Sequence, residues 1–204
     1  MGVPTTNRYY ARGSLSYQED EEAYQFSILA KGVVKLLRRY SGSKYFAHLL
    51  GPWNIIGPTV FTGGFARWLY VEAYTECKVV KVPWASLEQA IQAHPELALR
   101  LMTVEELRLI QYQELVECLL PRRTEVRLAN LFSILAREFG EPHLYDRISI
   151  ELTLTHQVLA EMIAATRESV TAAVKGLHKR ELIQMKSKRI VILNPEKLAE
   201  IGRQ

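Results

Sequence analysis

The sequence has only two cysteines, Cys77 and Cys118, among its 204 residues. Two thiols cannot make a disulfide framework, and neither stands in a Cys-x-x-Cys pair, which argues against an all-cysteine zinc or iron–sulfur site. A pair of semi-buried thiols is the simplest interpretation. A redox switch at Cys118 stays open as an alternative.

Long apolar segments are missing too. No run approaches the roughly 18 apolar residues that a membrane-spanning helix needs, and the N-terminal stretch lacks the apolar core of a secretory signal. We therefore expect a cytoplasmic protein with no membrane partner. The histidines in HPEL, LTH and GLH stand near no nucleophile or metal ligand at a useful spacing. The sequence thus predicts neither an enzyme nor a metal site.

Positive charge is present but unevenly distributed. The net charge is +4, and residues 155–204 contain nine Lys or Arg against five Glu, so this last quarter carries the whole excess. A basic end on a neutral body indicates a polyanionic partner at that end. A merely solvated charged face is the alternative.

Residues 8–82 predict antiparallel β-structure. Short alternating segments recur about every ten residues between glycines and prolines, the pattern of a small barrel or sandwich. The sequence then predicts a short helix capped by Ser86 and a second helix that begins at Pro95. This second helix continues to about Leu120, which makes it about 37 Å long.

The long helix has two apolar faces. One face can cover the β-domain and consists of Leu101, Val104, Leu115 and Cys118. The other face needs a second surface, which a second copy of the chain would supply in a coiled coil. Packing of both faces within one subunit is the alternative. The predicted dimer interface consists of Met102, Leu109, Tyr112, Val116 and Leu119.

Two short helices near the C-terminus predict a helix-turn-helix. Thr155 can cap the helix HQVLAEMI, and Thr166 can cap a second helix from Arg167 to about Arg180. About three residues join the helices, and the second is amphipathic with a polar first turn. The segment LIQMKSKRIVIL then predicts two strands that turn at Ser187–Lys188, which makes the motif winged.

The first turn of the second helix exposes Arg167 and Glu168. In a major groove, an arginine can donate two hydrogen bonds to guanine, and a glutamate can accept one from cytosine. We expect these two side chains to read bases, and we expect nearby polar groups and helix-start amides to hold phosphates. A plain helical hairpin with surface charges is the alternative. The predicted backbone contacts are Thr155, His156, Gln157, Thr166, Ser169, Thr171, Lys175, Lys186 and Lys188.

The chain resembles the CRP/FNR superfamily of bacterial transcription regulators and, within it, the cyanobacterial nitrogen regulators of the NtcA group. The resemblance covers nearly the whole chain, through ILAKGVVKL, LLGPWNIIG, HPEL, RLANLFSILAREFG and LTHQVLAEMIAATRESVT. It implies an α+β protein with an N-terminal antiparallel β-roll of the cyclic-nucleotide-binding type in residues 1–94. A long dimerisation helix (95–120) and a C-terminal winged helix-turn-helix domain that binds DNA (121–204) would follow.

Two positions depart from the family's pattern. Ala164 stands where the turn often has glycine, which is tolerable if its φ stays below zero. Ala172 stands where the recognition helix often has a second arginine, five positions after the first. We therefore expect Arg167 and Glu168 to be the main base readers, and the half-site to differ partly from the family's usual one.

The resemblance also implies a ligand pocket in the β-roll. Cyclic-AMP receptors use a Gly-Glu pair and an Arg-Ser pair there. This chain retains Gly57 and Arg67 but has Pro58 and Trp68 in place of the acid and the serine, which argues against cyclic AMP. The ligands for heme or an iron–sulfur cluster, used in other branches, are missing too.

In the nitrogen regulators, this pocket binds 2-oxoglutarate through arginines that Arg67 and Arg108 match. Two guanidiniums suit a dicarboxylate, because each can form two bonds to one carboxylate. An accompanying helix acid appears here as Gln113. Two alternatives stay open: a dicarboxylate effector such as 2-oxoglutarate, or no small effector, with the two arginines paired to acids such as Glu72 or Glu105.

These patterns and the resemblance predict a homodimeric, sequence-specific DNA-binding regulator. We expect an activator that reads a palindromic promoter site and has RNA polymerase as a partner. The alternative is a redox- or ligand-sensing module whose C-terminal domain docks a protein.

Overall fold

The computed structural model describes residues 3–17, 25–40, 43–56 and 69–203. Gly57, Pro58, Arg67 and Trp68 therefore lie outside the described residues. The chain divides into two compact units, Met1–Arg108 and Leu109–Gln204, and the division falls inside the long helix.

The first unit begins with two four-stranded antiparallel sheets. Their strands are β1 (Thr6–Tyr10), β2 (Leu15–Tyr17), β3 (Gln25–Lys31), β4 (Val34–Tyr40), β5 (Ser43–Leu50), β6 (Ile55–Ile56), β7 (Leu69–Ala73) and β8 (Cys77–Pro83). The strand order is β1-β8-β3-β6 in one sheet and β2-β7-β4-β5 in the other. Buried residues of both sheets, among them Leu29, Leu36 and Val71, form one core. The predicted antiparallel β-structure is confirmed.

Two helices follow these strands: α1 (Trp84–Ala93) and α2 (Glu96–Leu119). The position before α1 is Pro83, and no side chain caps the helix, so the prediction that Ser86 caps it is wrong. The helix starts earlier because Trp84 packs into an apolar cluster with Phe26 and Val82, which draws the first turn onto the sheet.

Residues of one predicted apolar face of α2 pack in different units. Leu101 and Val104 pack against the cluster of Phe26 and Val82 in the first unit. Cys118 is buried in the second unit, where its Sγ lies 3.1 Å from the Arg127 carbonyl oxygen and donates to it. The prediction that one face with both Leu101 and Cys118 covers the β-domain is therefore wrong for Cys118, because its partner lies nine residues further along the chain.

The second unit combines helices with a four-stranded antiparallel sheet of order β11-β12-β10-β9. Its elements are α3 (Thr124–Phe139), β9 (Gly140–His143), β10 (Arg147–Ile150), α4 (His156–Met162), α5 (Arg167–Lys179), β11 (Ile183–Lys186), β12 (Arg189–Ile192) and α6 (Pro195–Gly202). Burial of Leu128, Phe132 and Leu135 makes α3 the centre of the core. The predicted helix-turn-helix and wing are confirmed.

The strand predicted in DRISIELTLT is shorter than the pattern indicates. Only Arg147–Ile150 is a strand, between β9 and β12. Leu152 and Leu154 continue the alternation as buried residues, but the Leu154 amide donates to the Lys188 carbonyl at the wing tip, outside a ladder. The alternating pattern therefore reports burial beyond the end of the hydrogen-bonded strand.

The turn between α4 and α5 places Ala164 in the left-handed region, with φ of 50°. The Ala165 amide donates to the Ala160 carbonyl at 2.9 Å, the six-residue bond of a Schellman motif, which requires a left-handed residue between the helix end and that amide. The condition under which alanine would be tolerated at this position, a φ below zero, is therefore not met. The geometry of the helix end overrides the preference of the side chain.

The left-handed Ala164 predicts a stabilising substitution. Alanine loses about 1 kcal/mol in this region and glycine does not, so Ala164→Gly should raise the free energy of unfolding by about 1 kcal/mol in urea denaturation. Ala165→Gly is the matched control because Ala165 does not have a positive φ. It should lower stability by about 0.5–1 kcal/mol. Equal effects of the two substitutions would contradict this account.

Candidate nucleic-acid interface

Two threonines determine where the helices of the helix-turn-helix begin. The Thr155 hydroxyl oxygen accepts from the Val158 amide at 3.1 Å, and the Thr166 hydroxyl oxygen accepts from the Ser169 amide at 3.2 Å. Both predicted caps are confirmed. Each cap satisfies one amide of the first turn and leaves neighbouring amides for another acceptor. The caps therefore create two helix starts that can bind anions.

The α5 helix separates an apolar face from a polar one. Its buried residues are Val170, Ala173, Val174 and Leu177. Arg167 and Glu168 are exposed in the first turn, and neither side chain makes a hydrogen bond or ion pair with any described residue. Ala172 and Lys175 are exposed as well. The guanidinium and the carboxylate are thus open to solvent.

A chain of hydrogen bonds joins the starts of the two helices. The Thr171 hydroxyl donates to the Arg167 carbonyl at 2.8 Å, and His156 Nδ1 lies 2.9 Å from the same hydroxyl oxygen. Because the hydroxyl hydrogen is used on Arg167, the network assigns Nδ1 as the donor to Thr171. In this tautomer Nε2 carries no hydrogen and is an acceptor, so it does not donate to a phosphate.

Several other predicted backbone contacts have internal partners. The Thr166 hydroxyl donates to the Ser169 hydroxyl oxygen at 2.9 Å, and the Gln157 amide donates to Glu161 at 3.1 Å. The Ser169 hydroxyl hydrogen has no acceptor among the described residues. Thr166 thus serves mainly as a cap, whereas Ser169 and Lys175 retain donors for a phosphate.

The wing carries its two lysines beside a tight turn. Ser187 and Lys188 both have positive φ, 50° and 64°, and Lys186 pairs with Arg189 across the hairpin. Two left-handed residues in a two-residue loop are typical of a type I′ turn. Lys186 and Lys188 are exposed, whereas Arg189 lies 3.0 Å from a carboxylate oxygen of Glu151. The two lysines are therefore the cations of the wing best placed for phosphates.

The predicted effector residues are not brought together among the described residues. Gly57 and Arg67 lie outside them, and Gln113 is exposed in the second unit. The Arg108 side chain is 12% exposed; its Nη1 donates to the Ile55 carbonyl at 3.0 Å and lies 3.6 Å from a Glu105 oxygen. Contact with Glu105 is the arrangement that the alternative without an effector predicts.

A buried histidine accompanies this arginine. His48 is 2% exposed. Burial and, to a smaller extent, the positive charge of Arg108 lower the pKa of His48 to about 4. The imidazole is therefore neutral at pH 7, and Arg108 supplies the charge. His48 could not be recognised from the sequence, because a histidine in an alternating strand gives no signal of its role.

Arg127 is a second residue whose role could not be recognised from the sequence. Its Nε donates to the Pro121 carbonyl at 2.6 Å, and its Nη1 donates to the Ile163 carbonyl at 3.2 Å. The one signal was a charged residue between the buried Val126 and Leu128 of α3. Since Ile163 lies 36 positions further along the chain, no spacing rule could have predicted the contact.

Burial of the Cys118 thiol argues against the redox alternative. Burial raises the pKa of Cys118 to about 11, so the thiol stays protonated at neutral pH and is a poor redox nucleophile.

No group of three or more His, Cys, Asp or Glu in residues 3–17, 25–40, 43–56 and 69–203 could hold a metal ion. Within the same ranges, none of the helices combines the length and apolar composition that a membrane crossing requires.

Two family models match this chain in succession. A cyclic nucleotide-binding domain matches residues 7–94, and a Crp-like helix-turn-helix domain matches residues 126–201. The first match covers the β-structure, and the second covers the core of the second unit together with the capped helices and the wing.

Curated relatives match almost the full length. The chain is 32% identical to the "Global nitrogen regulator" of Synechococcus elongatus, with 97% of this chain and 90% of the relative covered. The protein of the same name in Nostoc is 30% identical, with 96% and 89% covered. The "cAMP-activated global transcriptional regulator CRP" of Salmonella typhimurium is 25% identical, with 91% and 88% covered.

Solved structures agree in fold. FixK2 from Bradyrhizobium japonicum matches with a TM-score of 0.78 at 20% identity, with 98% of each chain covered. A CooA mutant from Carboxydothermus hydrogenoformans matches with a TM-score of 0.77 at 18% identity, with 97% of this chain and 88% of the other covered. From its full-length relatives, its two domain matches and its capped helix-turn-helix, the chain belongs to the CRP/FNR family of DNA-binding transcription regulators.

Proposed function

We propose that the protein binds a palindromic DNA site as a homodimer and reads each half-site with Arg167 and Glu168. The observation that carries this proposal is the first turn of α5, where both side chains are exposed and make no hydrogen bond or ion pair with a described residue. An arginine can donate twice to guanine, and a glutamate accepts from cytosine N4, so a half-site with a G·C pair at each contact is expected.

The phosphate contacts come from groups around the same turn. Lys175 and Ser169 are the donors on α5, and the helix-start amides add partial positive charge. Lys186 and Lys188 supply the wing. These contacts would determine the position of α5 in the groove without reading sequence.

A stripe of exposed apolar residues on α2 supports dimerisation. Met102, Leu109 and Val116 are exposed and follow one another at intervals of seven, and Tyr112 and Leu119 follow two of them by three. Spacings of three and seven are those of the core positions of a coiled coil. A two-fold dimer would present its two α5 helices to major grooves about 34 Å apart.

We also propose that the first unit binds a dicarboxylate effector such as 2-oxoglutarate, with Arg108 as one anchor. The guanidinium of Arg108 is 12% exposed and positively charged, and its planar fork suits a carboxylate of a ligand. The resemblance to the nitrogen regulators implies the same ligand, and by that resemblance the protein is also proposed to activate transcription through RNA polymerase.

Selection of bound sequences from randomised DNA tests the base-reading proposal. The wild type should enrich a palindrome, and Arg167→Ala with Glu168→Ala should lose about 1–3 kcal/mol of preference at each contacted base while keeping salt-sensitive binding. Lys175→Ala is the control and should weaken all sequences alike and reduce the salt slope by about 1. An unchanged palindrome in the double variant would show that other residues read the bases.

Two leucines of equal exposure test the dimer. Leu109 lies on the stripe and is 58% exposed, whereas Leu107 lies off it and is 57% exposed. Leu109→Glu should bury a carboxylate in each helix and weaken dimerisation by about 3 kcal/mol or more, measured by sedimentation equilibrium. Leu107→Glu should remain dimeric. Monomers of both variants, or dimers of both, would refute an interface along the stripe.

A titration of DNA affinity with 2-oxoglutarate tests the effector. The wild type should bind its site about fivefold or more tightly at saturating ligand, the usual size of allosteric coupling. Arg108→Met should lose the response and keep the affinity measured without ligand. Glu105→Gln should retain the response, since it removes only a competing acceptor. If the wild type binds DNA tightly and its affinity does not change with 2-oxoglutarate, the effector proposal is wrong and Arg108 has a structural role.

A further inference from the structure

We infer that Glu125 and Arg127, in the first turn of α3, are positioning residues that set the orientation of α5 relative to the end of α2. We name this pair, with its partners Pro121, Ile163 and Arg180, the α3 clamp. The inference rests on the proposed function, because orientation matters only if two α5 helices must meet one DNA duplex.

Arg127 joins the end of α2 to the end of α4. Its Nε donates to the carbonyl of Pro121, two residues past the last residue of α2, and its Nη1 donates to the carbonyl of Ile163, the C-terminal cap of α4. Carbonyls at helix ends lack partners within their own helix, and a cation there also meets the negative end of the helix dipole. Because the guanidinium is planar, its two bonds keep a fixed mutual angle.

Glu125 binds the C-terminal end of α5. Its Oε1 accepts from Arg180, the C-terminal cap of α5, at 3.0 Å, and its Oε2 accepts from Arg123 at 3.2 Å. The Glu125 side chain is 21% exposed and that of Arg180 is 50% exposed, so solvent screens this pair only in part. A Cβ atom added at Gly176 would lie 3.7 Å from Glu125, which shows how closely α5 passes.

A third bond reinforces the connection to α2. The Cys118 thiol in the last turn of α2 donates to the backbone carbonyl of Arg127 at 3.1 Å. One turn of α3 thus bonds to the end of α2 twice and to the C-terminal ends of α4 and α5 once each. The apolar core holds the same helices together without a preferred direction, whereas hydrogen bonds require one. The clamp therefore supplies the directional part of the packing.

The readout that isolates orientation is tolerance of half-site spacing. Affinity is measured for the selected palindrome and for versions with one base pair inserted or deleted at its centre. The wild type should prefer the native spacing. Arg127→Met and Glu125→Arg should each reduce this preference about 3- to 10-fold, with base preference within a half-site unchanged. Arg127→Lys, which retains the charge but not the planar fork, should fall between them and the wild type.

Two further variants separate positioning from simple loss of structure. Glu125→Arg combined with Arg180→Glu restores an opposite-charge pair and should restore the spacing preference. Arg122→Met is the control, since Arg122 is exposed and makes no hydrogen bond or ion pair with a described residue. Thermal melts should show cooperative unfolding of all variants, and Arg127→Lys remains informative if Arg127→Met does not fold.

The outcomes distinguish this inference from the proposed function. If the wild type selects a palindrome and the Arg127 and Glu125 variants retain its spacing preference, the clamp does not orient α5. Loss of base preference in proportion to loss of spacing preference would equally overturn it, since that result indicates a merely destabilised domain. If the wild type selects no palindrome, the proposed function fails and the inference fails with it.

Discussion

Burial of one face of α5 is the constraint on which the arrangement of the second unit depends. The apolar face of α5, with Val170, Val174 and Leu177, is buried, so the opposite face of the helix is exposed to solvent. The cap at Thr166 determines which residues form the first turn. Arg167 and Glu168 are exposed for this reason and not because of any contact of their own. The exposed polar face of α5 is a consequence of core packing, because the buried apolar face leaves the opposite side of the helix in solvent.

Hydrogen bonding sorts the polar residues near that surface into internal and external groups. Thr166 and Thr171 both use their hydroxyl hydrogens inside the motif, and His156 is held by Thr171 so that one ring nitrogen remains for an outside partner. The turn between the helices accepts strain at Ala164 because the Schellman bond requires a left-handed residue. The motif thus combines a precise internal network with a small number of outward donors, which suits a surface that must enter a groove in one orientation.

The two units differ in where they place positively charged side chains. The second unit exposes Lys175, Lys186 and Lys188, the cations proposed to contact phosphates. The first unit buries Arg108 within reach of a carbonyl and a carboxylate and keeps its neighbour His48 neutral. A buried guanidinium is costly unless paired, so it marks a place where a carboxylate, from the protein or from a ligand, is needed. The α2 helix carries both Arg108 and the exposed apolar stripe.

The sequence by itself determined the order of elements, the caps at Thr155 and Thr166, the tight wing turn, and the exposed position of Arg167 and Glu168, because each depends on neighbours a few residues away. It did not determine the start of α1 at Trp84, the sign of φ at Ala164, the unit in which Cys118 is buried, or the partners of Arg127. Those depend on groups that only tertiary packing brings close: an apolar cluster, a helix-end bond, and carbonyls up to 36 positions away. Local rules describe which residues can begin or end a helix and which side chains face solvent. The non-local partners of a side chain come close only once the chain has folded.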